Sequence, residues 1–345
     1  MYCIFIINEH YLQGERKMKL KKTLAFIMTA ALTVGTMAGC SQATLNYSRE
    51  LSNVAKWDAT TSNIEGTVNV DVKGVKEQIN ISADGYTAGK QSYVDIKFTD
   101  PSGKLNIPEL KAYSDGTTSY INKSFYEGIS AFTGQAAPAG LTSIKEDYIG
   151  IDVASTGIDV DKIKALTTQP DAMVQLGKTI FGENSDIDIP FVQNGREYTI
   201  NLDADKTVDL VGKAAKAAGN NIENINNTFK LGIPAEGITQ IKAAVNDAKF
   251  DTSLVDLKTQ LAGSTISSKE VFADTSYNSD FNMNLQIKDA GSISLVLKAV
   301  DMKSEVKAIT FPTSVYKTTQ QDFNKLLIPT ASTATIQSTT NTVVK

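Results

Sequence analysis

The chain has 345 residues, with 34 Lys and Arg against 38 Asp and Glu, and a net charge of −4 at pH 7. Its charges of both signs are interspersed, which excludes the concentrated basic patch that binds nucleic acid. The one histidine, His10, and both cysteines lie at or before position 40. We therefore expect no nucleophile–histidine catalysis, no zinc or other metal site, no disulfide and no cofactor in the residues that follow.

Residues 18–39 have the pattern of a secretory signal peptide, and a cysteine comes directly after them. Three lysines precede an apolar run at 24–34. This run is shorter than the roughly 20 residues that a membrane-spanning helix needs. The residues predicted to be recognised by signal peptidase are Met37, Ala38 and Gly39.

This arrangement resembles the signal of bacterial lipoproteins, in which the cysteine after the small residues is lipidated and becomes the first residue. The resemblance implies a diacylglyceryl group on Cys40 and an extracytoplasmic protein that is lipid-anchored to the bacterial cell membrane. Residues 40–43 would then be the anchor and a short tether. Removal of residues 1–39 removes five basic and two acidic residues, so the net charge becomes −7. No polybasic patch therefore supplements the anchor.

Residues 1–17 do not fit a signal peptide, because charged residues such as Glu9 and Glu15 would precede its basic region. We interpret Met18 as the true start and residues 1–17 as a mis-assigned upstream start. Peptides from residues 1–17 in N-terminal proteomics would contradict this interpretation.

A helix and then a block of strands are predicted next. Residues 44–57 place apolar residues such as Leu45, Leu51, Val54 and Ala55 at helical spacing, which predicts an amphipathic helix. Apolar and polar residues alternate at 64–73, which is typical of a strand with one buried face. The alternation recurs at 75–83, 93–99, 110–113 and 118–122, and the last two segments flank a hairpin turn at Asp115 and Gly116.

The middle of the chain predicts mainly helices, and the end predicts strands again. The predicted helices cover 125–132, 160–167, 171–181, 206–218 and 236–261, and Gly219 is expected to follow the fourth as a C-terminal cap. Two strands, at 148–153 and 197–203, interrupt them. The final strands are predicted at 267–273, 280–288, 292–301 and 305–311. Residues 330–345 form a Ser/Thr-rich tail without periodicity, which indicates disorder.

Strands at both ends with helices between them predict an α+β fold in which a curved antiparallel sheet, or half-barrel, wraps a helical middle segment. We expect one domain over residues 44–329, because the sheet needs both strand blocks to be complete.

Few residues suggest catalysis or ligand binding by their spacing alone. The carboxylate pairs Asp159/Asp161 and Asp186/Asp188 are more typical of turns and helix caps than of acid–base chemistry. Residues 172–179 resemble a P-loop only at their end, and residues 203–207 lack the glycine of a calcium loop. Aromatic residues that either line a ligand site or simply pack within the sheet are Trp57, Tyr86, Tyr93, Tyr113, Tyr120 and Tyr126.

Several features together resemble the lipoprotein-carrier (LolA/LppX-like) fold. They are the lipidation pattern, the first helix, hairpins such as IEGTVNVDVKG and QSYVDIKF, and the segment LKAYSDGTTSYINKSFYEGI, which runs into a helix. Because the chain carries a lipidation cysteine, it is more similar to the LppX-like members. In that family a curved sheet wraps helices, and acyl chains occupy the space between them. The long helical insert at 160–261 departs from the compact carrier plan.

The resemblance implies a membrane-anchored protein that is not an enzyme and binds a lipid or another apolar small molecule. The predicted binding positions are Val70, Ile96, Phe98, Leu285 and Leu295. The alternative is a non-catalytic cell-envelope interaction or structural lipoprotein, whose protein partners the sequence does not identify. In that case the same residues form a filled core, because a cavity and a packed interior require the same alternation.

Overall fold

The computed structural model describes residues 41–132, 134, 136–156, 172–183, 185, 187–229 and 231–327. The signal segment, Cys40, the predicted helix at 160–167 and the tail at 330–345 lie outside the described residues. Within them the protein is α+β, with one open, curled sheet of mostly antiparallel strands.

The helices of the described residues are α1 (Gln42–Ala55), α2 (Lys123–Phe132), α3 (Ala139–Thr142), α4 (Ala172–Phe181), α5 (Ala204–Asn220), α6 (Ile222–Phe229), α7 (Ala235–Asn246), α8 (Ala248–Gln260) and α9 (Gln320–Leu326). The strands are β1 (Ala59–Val72), β2 (Val75–Ala88), β3 (Gln91–Thr99), β4 (Leu110–Ser114), β5 (Thr118–Asn122), β6 (Tyr148–Asp152), β7 (Val192–Asn194), β8 (Glu197–Asp203), β9 (Thr265–Phe272), β10 (Ser276–Ile287), β11 (Gly291–Lys303) and β12 (Val315–Thr318).

All twelve strands belong to one sheet, in the order β12-β6-β5-β4-β3-β2-β1-β11-β10-β9-β8-β7. Every neighbouring pair is antiparallel except β6 and β12, which are parallel. The N-terminal and C-terminal strand blocks meet where β1 pairs with β11, from Thr60 opposite Lys303 to Val72 opposite Gly291. The prediction that both blocks form one sheet is confirmed.

Helix α1 forms where the sequence predicts it, and Leu51 and Val54 of its predicted apolar side pack against the core. Its most buried residues, however, include small polar ones that apolar spacing does not predict. Thr44, Ser48 and Ser52 are almost completely buried, whereas Ala55 is exposed. The hydroxyl of Ser48 donates to the carbonyl of Thr44, and that of Ser52 donates to the carbonyl of Ser48. These small residues, four apart, satisfy their own hydroxyls and allow the helix to lie close to the body.

The prediction of a strand at 305–311 is wrong. This segment has no regular structure and connects β11 to β12. The Tyr86 hydroxyl donates to the carbonyl of Glu305, at 3.0 Å, and also lies 3.3 Å from that of Lys307. A side chain of the sheet therefore holds the start of this segment without strand pairing.

The prediction of one helix at 236–261 is also wrong, because the chain breaks at Asp247. This residue has extended backbone angles, and its carboxylate caps α8 by accepting from the backbone N–H of Lys249 at 2.8 Å. Gly219 does not end its helix as predicted, since α5 continues to Asn220. A β-carbon at Gly219 would lie 2.7 Å from Val245, so the glycine permits close packing against α7.

The buried core lies towards the two ends of the sheet. One cluster joins β6 to α3 and α9 through Leu141, Ile149 and Phe323. At the other end, two clusters pack α1 on β8 and β9, and α4 on α5. The buried residues of these two clusters are Tyr47, Tyr198, Phe272, Phe181, Ile187 and Ala214.

Candidate functional site

The five residues predicted to bind a ligand share one face of the sheet. Directly paired residues of antiparallel strands point to the same side. The pairing aligns Val70 with Ile293 and Leu285, and Ile96 with Ala83 and Ile64. We call the side that carries these residues the apolar face. Its longest wholly apolar row crosses six strands and contains Leu202, Ile266, Met283, Leu295, Val68 and Ile79.

The centre of the apolar face is only half-buried. The five residues predicted to bind a ligand keep part of their surface accessible, although they lie on long central strands: Val70, Ile96, Phe98, Leu285 and Leu295. The main contacts between helices and strands are those of α5 with β8, α2 with β5 and α9 with β6. The helices thus cover the ends of the face, and the aliphatic side chains between them are left partly open.

A buried polar cluster marks the border between the covered end and the open centre. Glu270, which is 8% exposed, lies on the apolar face opposite Tyr198 and Ser279. Its carboxylate accepts hydrogen bonds from the hydroxyls of Ser268, Ser279 and Tyr277. Burial raises the pKa of the Tyr277 hydroxyl far above its ordinary value, so this group stays protonated and can donate.

Helix α1 covers this cluster with a group of aromatic rings. The ring of Tyr47 lies 4.5 Å from that of Phe191 and about perpendicular to those of Tyr198 and Phe272. Arg196 ties the helix to the sheet, because its guanidinium donates two bonds to Glu50 at 2.8 and 2.7 Å. These bonds, together with one to Asp274, raise the pKa of Arg196.

A cavity of about 270 Å³ lies beside the N-terminal end of α1, and we call it the α1-side cavity. Its charged lining residues come from α5 and from the segment before β7: Asp188, Lys206, Asp209 and Lys213. Its apolar lining includes Ile187, Leu210 and Leu202, the first residue of the six-strand row. The Asp188 carboxylate accepts from the Thr44 hydroxyl at 2.6 Å, which fixes the cavity next to α1.

A second cavity, of about 340 Å³, lies on the opposite side of the sheet, which we call the polar face. Thr199, Lys269, Asp280 and Lys298 line it as one cross-strand row. None of the five residues predicted to bind a ligand lines either of these two cavities.

The predicted aromatic candidates divide between different places. Tyr86, Tyr93 and Tyr113 form a row on the polar face, with ring centroids 6.1 Å apart at each step. Phe311, from the irregular segment after β11, contacts the rings of Tyr113 and Tyr120. Tyr126 instead packs on Phe323 at the α9 end. Tyr86, Tyr93, Tyr113 and Tyr120 therefore do not line the apolar face, whereas Tyr126 packs at its α9 end.

A pair of carboxylates on the polar face, Asp95 and Glu109, was not predicted from the sequence. Burial, followed by the hydrogen bond and the charge of Glu109, raises the pKa of Asp95. Lys111 lies 3.2 Å from Glu109 and 3.9 Å from Asp95, and Lys97 lies 3.7 Å from Glu109. The pairing of β3 with β4 creates this pair, which no spacing along the chain indicates.

Of the carboxylate pairs considered from the sequence, Asp159, Asp161 and Asp186 lie outside the described residues. The segment at 172–179 is helical, as expected for a chance P-loop match, and Asp203 caps α5 by accepting from the N–H of Lys206. The described residues contain no group of three or more His, Cys, Asp or Glu that could hold a metal ion. No helix in this part of the chain is both long and apolar enough to cross a membrane.

Comparison of the sequence with models of known protein families gives no match, and comparison with curated proteins gives none either.

Proposed function

We propose that this protein is an extracytoplasmic lipoprotein, anchored to the bacterial cell membrane through Cys40, that binds a lipid or another apolar ligand on the apolar face. In this proposal the curled sheet is a half-barrel of the LolA/LppX-like type, and the ligand lies between the sheet and the helices at its two ends. The protein is a binding protein and not an enzyme.

The observation that carries the proposal is the half-buried state of the central apolar face. Five residues on four long strands share this face and remain partly accessible: Val70, Ile96, Phe98, Leu285 and Leu295. Contiguous exposed apolar surface is rare in soluble proteins and usually marks a binding site. Each 100 Å² of it that a ligand covers contributes roughly 2.5 kcal/mol.

The second candidate is a non-catalytic structural or interaction lipoprotein of the cell envelope. One observation favours it, since the two cavities of 270 and 340 Å³ lie away from all five predicted positions. In that case the apolar face contacts other parts of the chain or a protein partner, and no lipid occupies it.

Native mass spectrometry of the secreted body, produced from Ser41 onwards without the anchor, separates the two candidates. Lipid that co-purifies with the wild-type body supports the first. Leu295 and Val296 are neighbours on β11 and lie on opposite faces of the sheet. Leu295→Trp therefore tests the apolar face, and Val296→Trp is its matched control.

If the first candidate is right, the space over the face is open. We then expect Leu295→Trp to abolish lipid binding at little cost in stability, and Val296→Trp to leave binding unchanged. If the face is packed, Leu295→Trp costs about 1–3 kcal/mol by overpacking. That loss, with no lipid on the wild-type protein, would leave only the structural candidate.

A further inference from the structure

Cys40, the proposed anchor, directly precedes Ser41, the N-cap residue of α1, in the sequence. Ser41 is the N-cap of α1, and its hydroxyl oxygen accepts from the backbone N–H of Thr44 at 3.2 Å. Thr44 is completely buried, and its own hydroxyl donates to Asp188 at 2.6 Å. Residue 41 is therefore held to the body by contacts made within its first helical turn.

This connection limits which surfaces can face the membrane if Cys40 is lipidated. Consecutive Cα atoms are about 3.8 Å apart, so a lipid on residue 40 would hold the N-terminal end of α1 near the bilayer surface. The bond between Thr44 and Asp188 joins that end of α1 to the lining of the α1-side cavity. An orientation in which this cavity faces the membrane is therefore compatible with the anchor.

The α1-side cavity carries both signs of charge. Lys206 and Lys213 lie one above the other on α5, seven residues apart, with Asp209 between them and Asp188 opposite. Asp209 also contacts Lys258 at 2.6 Å. Ammonium groups are suited to bind a phosphate and carboxylates to bind an ammonium group. The cavity thus matches a head group that contains both.

The same cavity adjoins the apolar face through Leu202. From Leu202 the row continues over Ile266, Met283, Leu295 and Val68 to Ile79, with every step defined by strand pairing. Leu202 and Ile266 are buried, whereas the four residues from Met283 onwards are partly accessible. Four strands at about 4.8 Å spacing give an accessible row of roughly 14 Å. The hydrocarbon of one bilayer leaflet is about 15 Å deep, so this accessible part matches the length of one acyl chain.

We infer that the α1-side cavity is a membrane-facing head-group site, through which a zwitterionic phospholipid from the anchoring membrane reaches the apolar face. Lys206 and Lys213 contact its phosphate, and Asp188 and Asp209 face its ammonium group. Its acyl chain lies on the accessible part of the row, from Met283 to Ile79. The inference rests on the proposed lipid-binding function and on the lipidation of Cys40, and it adds the class of lipid, its source and its orientation.

The test uses the lipidated full-length protein in phosphatidylcholine vesicles that contain a tail-labelled photoactivatable phosphatidylcholine. Mass spectrometry of the crosslinked protein measures the yield on the row from Leu202 to Ile79. One variant inserts about ten Gly and Ser residues between Cys40 and Ser41, which adds roughly 18 Å of reach and leaves the body unchanged. A second variant carries both Lys206→Glu and Lys213→Glu. Its control is Lys249→Glu, at a residue on the exposed surface of α8.

We expect the double charge reversal to reduce the crosslink yield by roughly tenfold, because it removes hydrogen bonds to a charged phosphate. The inserted tether should reduce it by roughly tenfold as well, because a longer linker lowers the effective concentration of the membrane lipid at the cavity. Lys249→Glu should match the wild type. A water-soluble short-chain phosphatidylcholine, which does not come from the membrane, should bind the inserted-tether variant as well as it binds the wild type.

An unchanged crosslink yield in the inserted-tether variant would overturn the membrane-facing orientation while lipid binding stands. Preference for vesicles of anionic lipid over phosphatidylcholine would overturn the zwitterionic head group. If the wild-type protein binds neither the short-chain lipid nor the membrane lipid, the proposed function itself fails.

Discussion

Two aspartates stabilise turns of the sheet through their carboxylates. The Asp100 carboxylate, after β3, accepts from the Ser102 hydroxyl and from the backbone N–H groups of Ser102, Lys104 and Leu105. These bonds, the Ser102 hydroxyl first, lower its pKa to about 2. For Asp115 burial acts in the opposite direction, but bonds that include those from Tyr120 and Thr117 outweigh it and also lower the pKa to about 2.

Because both pKa values fall on folding from an ordinary value near 4, the two carboxylates stabilise the folded state above about pH 4. That contribution disappears as the pH falls from about 4 to 2. Asp115→Asn should cost about 1–3 kcal/mol at pH 7, since it weakens charge-assisted bonds to a partly buried group. Denaturant titrations at several pH values measure it.

Both Asp115→Asn and Asp100→Asn should also make stability less dependent on pH between 4 and 2. Asp58→Asn, at an exposed residue, is the control. Equal pH profiles for the three variants and the wild type would contradict the assignment of these carboxylates.

The anchor is tested by a single substitution at Cys40. We expect Cys40→Ser to release the protein from the membrane or to leave its signal peptide uncleaved. Two or three acyl chains hold a protein firmly, at roughly 0.8 kcal/mol per buried methylene, whereas the serine variant carries none. Membrane fractionation, with N-terminal sequencing to establish cleavage, measures the outcome. A cleaved Cys40→Ser protein that stays with the membranes would refute the lipoprotein prediction.

Among the elements, α1 packs over one end of the apolar face and directly follows Cys40, the proposed anchor. Its buried side combines the small residues Thr44, Ser48 and Ser52 with one large ring, that of Tyr47. The small residues bring the helix close to the sheet, and Tyr47 fills the space among Phe191, Tyr198 and Phe272.

We expect Tyr47→Ala to destabilise the protein by about 3–5 kcal/mol, the usual cost of replacing a buried aromatic residue by alanine. Asn53→Ala, on the exposed side of the same helix, should change stability by less than about 0.5 kcal/mol. Thermal and denaturant unfolding of both variants measure the difference. Equal stabilities would show that α1 is not packed as a structural part of the body.

In the whole molecule, the pairing of β1 with β11 joins strands that are more than two hundred residues apart along the chain. Thirteen consecutive residues of β1 have partners on β11, so each half of the sheet presents a long unpaired edge without the other. Such edges, with an apolar face beside them, favour aggregation over independent folding.

We therefore expect a fragment of residues 41–152 to aggregate or to lack cooperative unfolding when it is produced alone. Co-expression with residues 172–327 should restore soluble material, because that fragment contains β11. Circular dichroism and analytical ultracentrifugation measure both states. Cooperative unfolding of the isolated fragment would mean that the chain contains two independent domains.

The sequence by itself determined most elements, because period-two alternation and helical spacing are local properties. Most elements begin and end within about five residues of the predicted positions. They include strands β1 to β6 and β8 to β11, and helices α1, α2 and α5. The position of Val70, Ile96, Phe98, Leu285 and Leu295 on one face was likewise predictable, since alternation fixes the side of each strand residue. The anchor and the ligand role of these residues stay predictions.

Only the tertiary structure decided how the elements meet. The segment at 305–311 has no regular structure and is bonded at its start to the Tyr86 hydroxyl, a contact that local alternation does not predict. The burial of Thr44, Ser48 and Ser52 depends on contact with the body, which apolar spacing does not reveal. The cavity beside α1, the Glu270 cluster and the half-open centre of the apolar face join residues from distant segments. Alternation specifies which side of a strand is apolar, but the long-range packing of helices on the sheet decides how much of that side stays open.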